Sequence, residues 1–100
     1  MIREFLERKV PENWNQMSKD VRRMYLQGDM AGAEKVKLVP IDRICAAEIW
    51  EEVFGGNLLH MRKSDSTEIN QIIANIPGWR RAKSTARYGP YGIQRGFVRV

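Results

Sequence analysis

One hundred residues, 43% hydrophobic and 29% charged, are enough for one domain around a single modest core. No apolar run nears the ~20 residues of a membrane-spanning helix, and Met1-Ile2-Arg3-Glu4 opens no signal peptide. One cysteine rules out an internal disulfide framework, so the expected setting is cytoplasmic. The net charge of +5 is uneven: residues 1–59 hold nine Lys/Arg against ten Asp/Glu, and residues 60–100 hold eight against two, nets of −1 and +6. Positive charge gathered on one segment points to a polyanionic partner, most often nucleic acid; the alternative is a basic surface kept for solubility.

Residues 1–10 mix Arg, Glu and Lys around Phe5, Leu6 and Val10 and read as a lead-in segment or the end of a preceding helix. Residues 11–28 read as helical. Pro11 stands where helices tolerate proline, and Ser18 caps a helix through Val21, Met24 and Tyr25 that Gly28 ends. Trp14, Met17, Val21, Met24 and Tyr25 recur at helical spacing and are assigned to the core. Residues 29–35 form a loop around Gly32, and residues 36–39, Val-Lys-Leu-Val, form one short strand stopped by Pro40.

Between residues 41 and 54 the period is helical. Cys45, Ala46, Ile49, Trp50 and Val53 share a broad apolar face, Glu48, Glu51 and Glu52 lie opposite, and Gly55-Gly56 is the stop. Trp50 and Trp79 are expected to be buried anchors. Cys45 is expected as a small buried hydrophobe, since the single histidine, His60, sits in a polar loop and supplies no base.

Residues 65–76 carry both ends of a helix in their sequence. Asp65 is placed to cap the first turn with Glu68 reaching back, and Pro77-Gly78 closes it. Ile69, Ile72, Ile73 and Ile76 make a narrow apolar stripe. The other side holds Ser66, Thr67, Asn70, Gln71 and Asn75, polar but almost uncharged, a composition suited to reading base edges. The bland alternative is a surface helix of odd composition.

Residues 79–99 read as a β-hairpin with a tip rich in Gly, Pro and Tyr; Phe97 and Val98 are adjacent, so its register stays open. Helix, short strand, helix, helix and basic hairpin together give a mainly helical α+β domain of winged-helix type, with 65–76 as recognition helix and 79–99 as wing. The ten-residue connection from Gly55 to Ser64 is longer than the compact helix-turn-helix allows. The nucleic-acid-binding residues expected on this basis are Thr67, Asn70, Gln71 and Asn75 on the helix, with Arg80, Arg81, Lys83, Arg87 and Arg95 on the hairpin. Tyr88 and Tyr91 join them as stacking platforms, unless they pack over Pro90 to stiffen the tip.

The runs Asp42-Arg43-Ile44-Cys45-Ala46-Ala47-Glu48-Ile49-Trp50, Glu68-Ile69-Asn70, Ile76-Pro77-Gly78-Trp79 and Tyr88-Gly89-Pro90-Tyr91-Gly92-Ile93-Gln94-Arg95-Gly96-Phe97-Val98-Arg99 occur in this order. Over about residues 10–100 the chain resembles the C-terminus of the virulence-associated E family, phage- and prophage-encoded P-loop ATPases that act as replicative helicases, often joined to a primase. The resemblance implies a detached C-terminal module that binds DNA, duplex or single-stranded, in a helicase context. The Walker loop, an acidic strand end for magnesium and a primase motif are absent from the sequence, so no catalysis, cofactor or small-molecule substrate is expected. One His and one Cys do not make a metal site, and Ser64 or Ser66 has no base placed by sequence. The competing reading is a protein-interaction module that docks the helicase to neighbouring subunits, to its own ATPase domain or to replication proteins through Glu48, Glu51 and Glu52.

Overall fold

A computed structural model describes residues 1–28 and 37–100. The loop expected at 29–35, and Val36 of the expected strand, lie outside the described residues. Over the described residues the fold is mixed α+β, richer in helix than in strand, with short strands in three small sheets. Among the described residues no helix is long and apolar enough to cross a membrane.

The first ten residues are part of the core rather than a lead-in. Helix α1 (Ile2–Leu6) buries Ile2, Phe5 and Leu6 at i, i+3 and i+4, and strand β1 (Lys9–Pro11) buries Val10. Strand β2 (Leu38–Pro40) pairs antiparallel with β1, Val10 opposite Val39. Pro11 therefore ends a strand instead of opening a helix, and the next element is a 3₁₀ turn at Trp14–Gln16. Helix α2 (Lys19–Leu26) starts as its sequence predicts: the Val21 N–H donates to Ser18 Oγ at 3.3 Å, and Gly28 leaves the helix at φ +79°.

The inward face of α2 differs from the expected one. Val21 and Met24 are 37% and 48% exposed, while Arg22 is wholly buried with Tyr25 and Leu26 beside it at i+3 and i+4. A buried guanidinium with carboxylate partners sets the rotation, not the apolar side chains of the helix.

The helix expected at 41–54 begins later because Arg43–Ile44 form strand β3. Helix α3 (Ala46–Glu48) follows and widens into a π turn at Ile49–Val53, where the Phe54 N–H donates to the Ile49 carbonyl. Gly55, at φ +69°, ends it as expected. Trp50 is half-buried rather than fully packed, and its Nε1–H donates to the Asn57 carbonyl at 2.8 Å.

Helix α4 (Lys63–Ala74) starts two residues before the expected boundary. Asp65 thus sits in the first turn, accepting from the Arg62 N–H at 2.9 Å, and Glu68 is exposed. Ile69 and Ile73 are buried and Ile76 partly so, while Ile72 remains 41% exposed.

The C-terminal hairpin is present. Strands β4 (Trp79–Arg81) and β7 (Phe97–Arg99) pair antiparallel, with Arg80 opposite Val98; β5 (Ala86–Arg87) and β6 (Ile93–Gln94) form a second ladder inside it. Phe97 faces the core and Val98 is half-buried, which resolves the open register. Strand β3 joins the other edge of β7, giving the order β3-β7-β4. The approach is close at Gly96, where any Cβ would collide with the Ile44 carbonyl and the Cys45 backbone. Arg99 fastens this sheet to the chain start, donating from Nε to Ile41 O at 2.8 Å and from Nη2 to Leu6 O at 2.7 Å.

Candidate nucleic-acid interface

The polar side of α4 follows from helical spacing, but its side chains are not equally available. Thr67 and Gln71 are exposed. Asn75 is exposed too, yet its amide nitrogen donates to the Gln71 carbonyl at 3.0 Å, one turn back along the helix. Asn70 is half-buried, with its Oδ1 buried and without a hydrogen-bond partner among the described residues. Two of the four expected reading residues therefore project freely.

Residues 77–100 contain six Lys/Arg and no Asp/Glu, so the cations of the hairpin meet no carboxylate within their own segment. Arg80, Lys83, Arg87 and Arg95 are exposed. Arg95 Nε donates to the Ala82 carbonyl at 2.8 Å, which holds one side of the hairpin in place. Arg81 alternates with Arg80 along the strand; it is half-buried, its guanidinium 5.1 Å from the centre of the Phe97 ring. Helix α4 packs on β4, the first strand of the hairpin.

The two tyrosines are a correction. Tyr88 and Tyr91 are only 1% and 8% exposed and pack with Cys45 and Ala47, so neither ring offers a platform for bases. The Tyr88 hydroxyl accepts from the Gly96 N–H at 3.0 Å, and Tyr91 donates to Glu52 Oε2 at 2.8 Å. The hairpin tip, a 3₁₀ turn at Gly89–Tyr91, is folded back against the body instead of standing out from it.

What holds it there is a buried ionic cluster that sequence reasoning missed. Arg22 Nη1 donates to Glu48 Oε2 at 2.6 Å and to Glu52 Oε2 at 3.0 Å, and Arg22 Nε donates to the Trp14 carbonyl at 3.1 Å. Its guanidinium lies 4.5 Å from the Trp14 ring. Glu48 Oε1 accepts from the Cys45 N–H at 3.0 Å. Glu51 is bonded by Lys19 at 3.3 Å and by the Leu58 N–H at 3.1 Å. The acidic face expected to dock a partner is thus largely internal, because burial of Arg22 draws two carboxylates inward.

One guanidinium between two carboxylates leaves surplus negative charge. Burial pushes the Glu48 carboxyl up to about 7, against the pull of Arg22 and with a further push from Glu52. Burial raises Glu52 as well, again against Arg22. The Cys45 thiol is pushed up by burial and by Glu48, which makes it an inert core group rather than a nucleophile.

No protein-family model matches the chain, and no curated protein matches it either.

Proposed function

We propose that the chain is a nucleic-acid-binding module of winged-helix type, the C-terminal part of a phage-type replicative primase–helicase. The observation that carries this reading is the acid-free cationic hairpin, with Thr67 and Gln71 exposed on the helix α4 that packs on its first strand. Cations of this kind supply a sequence-independent attraction to phosphates, and neutral amides and hydroxyls such as Gln71 and Thr67 suit base edges in a major groove. The strand order β3-β7-β4 supports the winged-helix part, since β3, set just before α3, closes the sheet against the hairpin that follows α4. The helicase context rests on the sequence resemblance alone.

Burial of Tyr88 and Tyr91 favours duplex over single strand, because stacking of unpaired bases needs exposed rings. Burial of Glu48 and Glu52 removes most of the surface on which a partner-docking role leaned. Fluorescence anisotropy with labelled duplex and single-stranded DNA at low salt tests the reading. Binding to duplex at least as tight as to single strand is expected, and Gln71→Ala should weaken a preferred duplex by ~1–3 kcal/mol while leaving others unchanged. Absence of binding to either at low salt would reject it.

A further inference from the structure

An open-sided cleft of about 650 Å³ separates the turn leading into α2 from the inner hairpin ladder. Asn15, Gln16 and Ser18 line one wall; Arg43, Arg87 and Pro90 line the other, and no carboxylate is among the lining residues. Arg43 is on β3, outside the segment that carries the excess positive charge. Its Nη1 donates to the Arg87 carbonyl at 3.3 Å, which steadies the guanidinium, and its Nε lies 3.7 Å from the exposed carboxylate of Asp42. Nη2 has no partner among the described residues, leaving one edge of the fork open. Arg87 is exposed beside it. Two guanidinium groups, one of them already held, facing a wall of neutral amides and a hydroxyl make a receptor for a tetrahedral oxyanion with more than one free oxygen.

We propose that this cleft seats a phosphodiester of the nucleic-acid backbone, a second anchor apart from the outer face of α4. The proposal rests on the nucleic-acid reading and adds a contact from the N-terminal half of the chain. A backbone gripped both here and at the outer hairpin cations is fixed in orientation as well as attracted.

The test is the slope of log K against log salt on labelled duplex for the wild-type chain and three variants. Arg43→Gln removes the charge and keeps a polar side chain; it should weaken binding several-fold at low salt and flatten the slope by about 0.9. Gln16→Glu sets a carboxylate on the opposite wall, at an exposed side chain with no part in the core, and should weaken binding even if Arg43→Gln proves unstable. Arg23→Gln, at a different groove between α1 and α2, should leave the slope where it was. Wild-type binding with Arg43→Gln and Gln16→Glu both unchanged overturns the anchor and leaves the nucleic-acid reading standing. An equal loss in Arg23→Gln also overturns it, as an effect of net charge. No binding by the wild-type chain removes the wider reading and the anchor together.

Discussion

Tyr91 donates its hydroxyl proton to Glu52 Oε2 at 2.8 Å, and through that oxygen the hairpin tip is joined to Arg22 of α2. Residues from three separated stretches meet at one buried carboxylate, which fixes where the hairpin lies relative to the helices.

Removing the hydroxyl tests that joint. Tyr91→Phe keeps the packed ring but leaves Glu52 one donor short, and should cost about 1–2 kcal/mol in urea denaturation. Amide exchange across residues 86–94 should quicken more than exchange in α4. Equal exchange in both regions would show that the bond does not hold the tip.

Arg22 should be far more sensitive than the apolar residues beside it. Arg22→Met strands two buried carboxylates and should cost about 3–5 kcal/mol. Val21→Ala, at a side chain outside the core, should stay within about 0.5 kcal/mol of wild type. A larger loss at Val21 than at Arg22 would mean that α2 presents its other face inward.

Stability should fall with rising pH. Glu48 binds its proton more tightly in the folded chain than its ordinary value of 4.5 would allow, so the folded state holds more protons between that value and about 7. The stabilisation is complete below the ordinary carboxyl range and is lost as pH climbs through about 7. Melting temperature should therefore be higher near about pH 5 than near about pH 8, with Glu48→Gln reducing the difference. A melting temperature that rises across this interval would contradict the assignment.

The tryptophans should divide. Trp79 is buried, and the Arg99 guanidinium lies 4.6 Å from its ring. Trp79→Ala should cost about 3–5 kcal/mol, and Trp50→Ala less, because that ring is only partly buried. Thermal melts of the two variants check the order.

Features that depend on near neighbours could be read from the chain. Ser18 caps, Gly28 and Gly55 stop, and the Ile69/Ile73 stripe packs, because each follows from residues within one or two turns. The hairpin was readable for the same reason, as a β-prone run on either side of a Gly- and Pro-rich tip. Arg22 was not, since its carboxylates lie 26 and 30 positions away and nothing local marks a buried arginine. Tyr91 was misplaced with it, because its burial depends on that cluster. For residues 1–10 a helix end was one of two readings, because the five residues of α1 hold too few periods to fix a helix and its buried face. On the candidate interface, composition and helical spacing located the hairpin cations and the exposed Thr67 and Gln71. It could not locate Arg43, whose position opposite Asn15 and Gln16 exists only once β3 has joined the sheet.

The most direct test of the central claim is the salt dependence of wild-type binding to duplex DNA. Each cation seated on a phosphate should contribute about 0.9 to the slope of log K against log salt, so several contacts predict a steep negative line. Arg80→Ala or Lys83→Ala should flatten it by about one unit on every sequence alike. A slope near zero, or no measurable binding at low salt, would contradict the assignment of nucleic acid as the partner.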